Sequence, residues 1–145
     1  MIPACMLAVA GAAFVAGRLS GPDVAQAAAP AEGAAQTLFE LRIYTPAEGK
    51  MDAMNARFRD HTLRLFEKHG IRNVGYWTAV DEEHKGRLYY LIAYPDRASR
   101  EKMLVNGIAK DPEFLKAVAE SEKNGKIVTA SESVLLTPTD YSMLR

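Results

Sequence analysis

The stretch Phe39-Glu-Leu-Arg-Ile-Tyr44 alternates side chains strictly: Phe39, Leu41 and Ile43 fall on one side, Glu40, Arg42 and Tyr44 on the other. A period of two marks a strand with one face buried. What decides the fold is the second face, which carries a ring and two opposite charges in place of ordinary solvated groups. Two further strands repeat the excess. Asn73-Val-Gly-Tyr-Trp-Thr78 holds Tyr76 beside Trp77, and Leu88-Tyr-Tyr-Leu-Ile-Ala-Tyr94 is almost continuously apolar or aromatic. A sheet covered by helices on one side needs large side chains on that side alone. Large groups on both faces predict that the second face meets a partner subunit, a ligand, or both.

Working outward, Lys50 to His69 changes to helical spacing. Met51, Met54, Phe58, His61 and Leu65 recur at steps of three and four, and Gly70 is a natural C-terminal stop. Arg72 to Ala79 reads as the second strand, Asp81-Glu-Glu-His-Lys-Gly86 as a charged hairpin loop, and Arg87 to Tyr94 as a central strand covered on both faces. Asp96 is placed to cap a second helix, which Asn106-Gly107 interrupts. Asp111-Pro112 restarts it, with proline at the first helical position. Glu132 to Thr137 supplies the fourth strand.

The order strand, helix, strand, strand, helix, strand predicts an α+β, ferredoxin-like βαββαβ fold: a four-stranded antiparallel sheet with helices on one face. Its bare face would be an apolar patch of a size that soluble monomers rarely expose. A homodimer closing two such sheets into a dimeric α/β barrel is therefore expected.

The first residues have a different character. Met1 to Ala16 carries no charge, is short for a membrane span of roughly 20 residues, and suits the apolar region of an export signal. Ala25-Gln26-Ala27 then offers a small-x-small cleavage site. Residues 1–27 are read as a signal peptide cleaved after Ala27, residues 28–37 as an Ala-rich linker, and residues 38–142 as the folded domain. No basic residue precedes the apolar run, which an upstream start would explain, and an uncleaved anchor is the alternative. The expected product is periplasmic or secreted, with no stable membrane span once the signal is removed.

Cys5, the only cysteine, lies inside this segment. Cleavage leaves no thiol for a disulfide, a nucleophile or a zinc site. With 18 basic and 18 acidic residues and no basic stripe, nucleic acid is not an expected partner.

The motifs Phe39-Glu-Leu-Arg-Ile-Tyr-Thr45, Phe66-Glu-Lys-His-Gly-Ile-Arg-Asn-Val-Gly-Tyr-Trp77, Tyr90-Leu-Ile-Ala-Tyr94, Asp111-Pro-Glu113 and Pro138-Thr-Asp-Tyr141, with the His61 helix, together resemble the NIPSNAP family. The resemblance runs from Leu38 to about Ser142 and implies the dimeric α/β barrel. Eukaryotic members of that family are associated with mitochondria, vesicle trafficking and mitophagy signalling, as adaptor-like proteins. Related barrels include cofactor-free monooxygenases acting on polycyclic phenols, lactone isomerases and haem-binding proteins. Between Arg100 and Phe114 this chain departs from the family's large aromatics, having Leu104, Asn106-Gly107 and Phe114 instead.

The chain has no G-x-S-x-G elbow, phosphate-binding glycine loop or H-E-x-x-H, and neither a cofactor nor a metal is expected. His61 is the candidate catalytic base, since its place on the apolar stripe would turn it towards the space between helix and sheet. A core histidine bonded to a neighbour is the plainer alternative. His69 is expected to help end its helix, and His84 to be solvated. Glu40, Arg42 and Tyr44 form a polar strip that would either pair internally or hold an anionic or carbonyl oxygen of a ligand. Tyr76, Trp77, Tyr90 and Tyr94 would be the apolar walls around it. Three functions follow: a homodimeric barrel with a pocket for a small aromatic or carboxylate ligand, a cofactor-independent monooxygenase or isomerase using His61, or a non-catalytic protein-binding adaptor.

Overall fold

The computed structural model describes residues 37–145, so the expected signal peptide and most of the linker lie outside the described residues. Strand β1 (Leu38–Pro46) leads into a long helix made of α1 (Met51–Arg57), a π turn (Phe58–Thr62) and α2 (Leu63–Lys68). Gly70, at φ 78°, stops that helix in the left-handed conformation expected of it. Then come β2 (Arg72–Thr78) and β3 (Leu88–Tyr94). The second helical region is α3 (Arg97–Arg100), a π turn (Glu101–Val105), a single 3₁₀ turn (Ile108–Lys110) and α4 (Pro112–Ser121), followed by β4 (Val128–Leu136).

Both expected caps are present. The Asp96 side chain accepts from the Ser99 N–H, and Asp111 accepts from the Glu113 N–H ahead of Pro112. The break between the two helical pieces falls at Gly107, where a Cβ would run into the Met103 carbonyl oxygen.

The sheet order is β2-β3-β1-β4, all antiparallel, with the helices on one face: the ferredoxin-like fold predicted from the order of elements. β4 begins four residues earlier than its apolar pattern indicated. Val128 to Glu132 is exposed edge strand whose pairing with β1, from Pro46 to Ile43, holds it extended without any help from burial.

Paired residues share a face, so the register divides the sheet cleanly. Arg42 pairs with Tyr90, Glu40 with Ile92 and Leu38 with Tyr94, all turned towards the helices. There they meet Met54, Phe58, Leu65, Phe66, Ile108 and Ile127 in one core. Leu41 pairs with Leu91 and Ile43 with Tyr89 on the opposite face, beside Trp77 and Val134. Among the described residues no helix covers that face. The polar strip is therefore the inner one, and the purely apolar side of β1 is the outer one.

Candidate functional site

The inner strip is organised by Glu40. Its side chain is fully buried, and β1 places it between the two outer elements that can reach it. Arg100, at the end of α3, binds it bidentately, with Nε donating to Oε2 at 2.7 Å and Nη2 to Oε1 at 3.0 Å. Tyr94 donates its hydroxyl to Oε2 at 2.9 Å, Ser133 of β4 to Oε1 at 2.6 Å, and Arg42 Nη1 to Oε1 at 3.0 Å.

Burial pushes the Glu40 carboxyl up. Hydrogen bonds from Arg100, Ser133 and Tyr94, and the charge of Arg42, outweigh that and hold it at about 2. Burial and then the Glu40 charge push the Tyr94 phenol up, so it remains a donor at neutral pH.

Arg42 is clamped from the other side by Tyr44, whose hydroxyl accepts from Nη2 at 3.1 Å. Its guanidinium also lies 5.5 Å from the Tyr44 ring centre and 6.0 Å from that of Tyr90, within cation–π range. The third guanidinium nitrogen, Nε, is buried and has no partner among the described residues. Buried polar groups are nearly always satisfied, so such an atom needs an explanation.

Arg42 faces a cavity of about 280 Å³ between the sheet and the helices. Tyr44 and Tyr90 form the sheet side of its lining, and Arg57, Phe58, Thr62 and Phe66 come from the first helix. The second helical region supplies Leu104, Val105, Ile108, Ala109 and Phe114. Tyr90 is the hub of the aromatic wall: Tyr76 stacks on it at 5.5 Å and 10°, while Phe58 and Tyr44 meet it edge-on at 5.1 and 5.2 Å. Burial foremost pushes the Tyr90 phenol well up, keeping it protonated.

Arg57 was not anticipated, yet it is one of the few buried charges. Its Nη1 donates to Glu122 Oε1 at 3.1 Å and Ser121 Oγ at 3.3 Å. The signal for it was its spacing, three residues after Met54 on the buried stripe. Arg100 and Ser133 were missed as well, and nothing local marks them, because they meet Glu40 only across 60 and 93 residues of chain.

His61 requires a correction. Its imidazole is exposed, in an outer groove with Ala53, Ala56, Asp60, Ala117 and Glu120, and does not face the space between helix and sheet. The π turn is the cause. Its i→i+5 hydrogen bonding takes up one extra residue. The buried position after Phe58 becomes Thr62, and its hydroxyl donates to the Arg57 carbonyl oxygen at 3.3 Å.

Trp77 is also elsewhere. It is 54% exposed on the outer face, folded over Gly75, because neighbours on a strand point oppositely and Tyr76 takes the inner side. Tyr76 itself lies behind the cavity wall, with its hydroxyl donating to Asn73 Oδ1 at 2.6 Å. Tyr94 and Glu40 likewise support the site from outside its lining. Of the expected ligand-binding set, Arg42, Tyr44 and Tyr90 are brought together at the cavity.

The other histidines sit at chain turns. His69 ends α2 and its Nε2 lies 2.7 Å from Asp111 Oδ2, which also accepts from Lys68 Nζ at 2.8 Å. Hydrogen bonds from Lys68 and then His69 hold the Asp111 carboxyl well below its usual range. His84 bonds Asp81 within the hairpin. Among the described residues no cluster of side chains has the makings of a metal site, and no helix is long and apolar enough to cross a membrane.

A family model described as NIPSNAP matches residues 39–143, covering the strands, both helical regions and the final Pro-Thr-Asp-Tyr motif. The chain belongs to the NIPSNAP family. A NIPSNAP family protein from Agrobacterium tumefaciens is 23% identical with a TM-score of 0.65, the match covering 75% of this chain and 99% of that one. An uncharacterized NIPSNAP-like domain protein from Burkholderia xenovorans is 17% identical with a TM-score of 0.65, covering 74% and 90%. More distantly, a Bacteroides thetaiotaomicron protein described as a candidate antibiotic biosynthesis monooxygenase is 17% identical with a TM-score of 0.50, covering 73% and 92%. At these identities the solved structures share the fold. No sequence among the curated proteins matches the chain.

Two outcomes test this geometry. The folded carboxyl of Glu40, at about 2, lies below its ordinary 4.5, so the folded state binds fewer protons there. Its contribution to stability is complete above pH 4.5 and lost as pH falls towards 2. Glu40→Gln therefore costs about 3–5 kcal/mol in denaturant unfolding at pH 7, and the penalty shrinks on acidification. His61→Ala, at an exposed position, changes stability by less than about 0.5 kcal/mol. A much larger loss by the same assay would return His61 to the interior.

Proposed function

We propose that this NIPSNAP domain is a small-molecule-binding protein that works as a homodimer, with its ligand seated in the cavity beside Arg42. The observation that carries the reading is Arg42, a guanidinium with a buried Nε that lacks a protein partner, set in the wall of a cavity lined by aromatic and aliphatic side chains. Ligand sites have this composition: mostly apolar walls with a few fixed polar groups. Arg42 is fixed in the required sense, held by Glu40 on one side and Tyr44 on the other.

A solidly filled interior would have left only an adaptor's outer surface for function. The cavity favours binding over that reading. It also favours binding over base catalysis, because its lining contains neither a carboxylate nor an imidazole and His61 lies outside it.

Dimerisation rests on the outer face of the sheet. Trp77, Val134 and Leu136 are 54%, 47% and 40% exposed there, beside half-buried Leu41, Ile43, Tyr89 and Leu91. Soluble monomers seldom leave so continuous an apolar face in water, and a second copy presents a surface of the same kind and size. Export through the apolar N-terminal segment belongs to the same reading. Intact mass of the secreted protein should match a chain beginning at Ala28, and a chain still beginning at Met1 contradicts cleavage.

Leu104→Trp, which fills the cavity from its helical wall, should abolish fragment binding seen by saturation-transfer NMR while leaving the fold intact. Retained binding would place the ligand elsewhere. Light scattering at micromolar concentration should give twice the chain mass for the wild type and a monomer for Leu91→Asp. A monomeric wild type removes the dimer.

A further inference from the structure

Resting on the pocket reading above, the charges around the cavity restrict what it accepts. Glu40 is shared between two guanidiniums, Arg42 and Arg100, and among the described residues it is the only carboxylate paired with either. Arg42 and Arg100 are 17% and 23% exposed and Glu40 is fully buried. The cluster thus holds two positive charges against one negative charge, at the cavity's edge. An unbalanced buried charge is costly until something of opposite sign meets it.

The second guanidinium on the wall differs. Arg57 is already neutralised by Glu122 at 3.1 Å. One positive charge, and not two, is therefore left for an occupant.

The hydrogen-bonding groups agree with this count. Arg42 keeps N–H groups beyond those given to Glu40 and Tyr44, and Tyr44, whose oxygen accepts from Arg42 Nη2, still has its own O–H to give. The Thr62 hydroxyl is spent on the Arg57 carbonyl oxygen. Opposite these donors stand Phe66, Leu104, Ile108 and Phe114. At about 280 Å³ the cavity lies at the lower end of the roughly 300–1,000 Å³ typical of ligand sites.

We propose that the cavity takes a compact apolar monocarboxylate, its carboxylate accepting from the Arg42 guanidinium and the Tyr44 hydroxyl, with a ring or branched chain against the helical wall. Dianions are disfavoured because Glu122 occupies Arg57. Neutral isosteres are disfavoured because they leave the Arg42 charge unmet.

The test uses the full-length protein and three soluble probes built on one benzene ring: benzoate, its neutral isostere benzamide, and the dianion phthalate. Binding is measured by titration, following the Arg42 Nε–H resonance by ¹⁵N NMR. Benzoate should bind at least about tenfold tighter than benzamide or phthalate, the scale of one charge-assisted hydrogen bond, and it should shift the Arg42 Nε–H signal. Arg42→Gln should remove the preference for benzoate over benzamide, and Arg42→Lys should restore part of it. The wild-type probe series stands without the variants, should either fail to fold.

Equal affinity for benzamide, tighter binding of phthalate, or benzoate binding that leaves Arg42 unshifted overturns the monocarboxylate assignment while the pocket reading survives. A wild-type protein that binds none of the three, nor any member of a neutral and anionic fragment set, overturns both.

Discussion

One carboxylate holds the inner face together. Glu40 accepts from Arg100 twice, from Tyr94, from Ser133 and from Arg42, and these donors come from α3, β3, β4 and its own strand. A fully buried carboxylate is tolerated only when its lone pairs are met. Meeting them fixes where the second helical region sits over the sheet. It also fixes Arg42 in one orientation on the cavity wall. Fold and site thus share a single constraint: the groups that make the charge tolerable in the interior are the groups that orient the guanidinium on the cavity wall.

The cavity itself owes its shape to departures from regular helix. Both helical regions contain a π turn, Phe58–Thr62 and Glu101–Val105, and each contributes side chains to the lining. A π turn is poorer in packing than the α-helix and recurs at functional sites. Here the first one brings Thr62 to the buried side. Arg57, just before it, is anchored by Glu122 and Ser121 beyond the end of the cavity. The second, together with the close approach at Gly107, bends the chain so that Leu104 and Ile108 face inward across from the tyrosines.

Much of the architecture was legible from side-chain periods alone. The alternation around Phe39 to Tyr44 separated the two faces of β1, although the helices cover the polar one and not the apolar one, and the caps at Asp96 and Asp111 and the stop at Gly70 stand where composition placed them. The site was legible only where local pattern suffices. Glu40, Arg42 and Tyr44 could be grouped because strand geometry puts every second residue together.

The same rule separates Tyr76 from Trp77, so their adjacency already meant that one of them faces outward. His61 was misplaced because a 3.6-residue period was assumed through a turn that takes one residue more. Arg100 and Ser133 carry no local signature at all, since only the folded topology brings them to Glu40. Start of β4 was hidden for a related reason: an edge strand held by pairing needs no apolar pattern.

The central claim is that Arg42 is a largely buried cation on the cavity wall whose unspent N–H groups meet an occupant of the cavity. A high-resolution crystal structure of the protein purified directly from its cells, without added fragments, addresses it most directly. The account predicts density for a small apolar molecule between the sheet and Leu104, with an oxygen at 2.7–3.2 Å from a nitrogen of the Arg42 guanidinium, the range of an N–H···O hydrogen bond. An Arg42 Nε bonded to a protein atom, with the helical wall collapsed onto Tyr90 and no space between them, would contradict it.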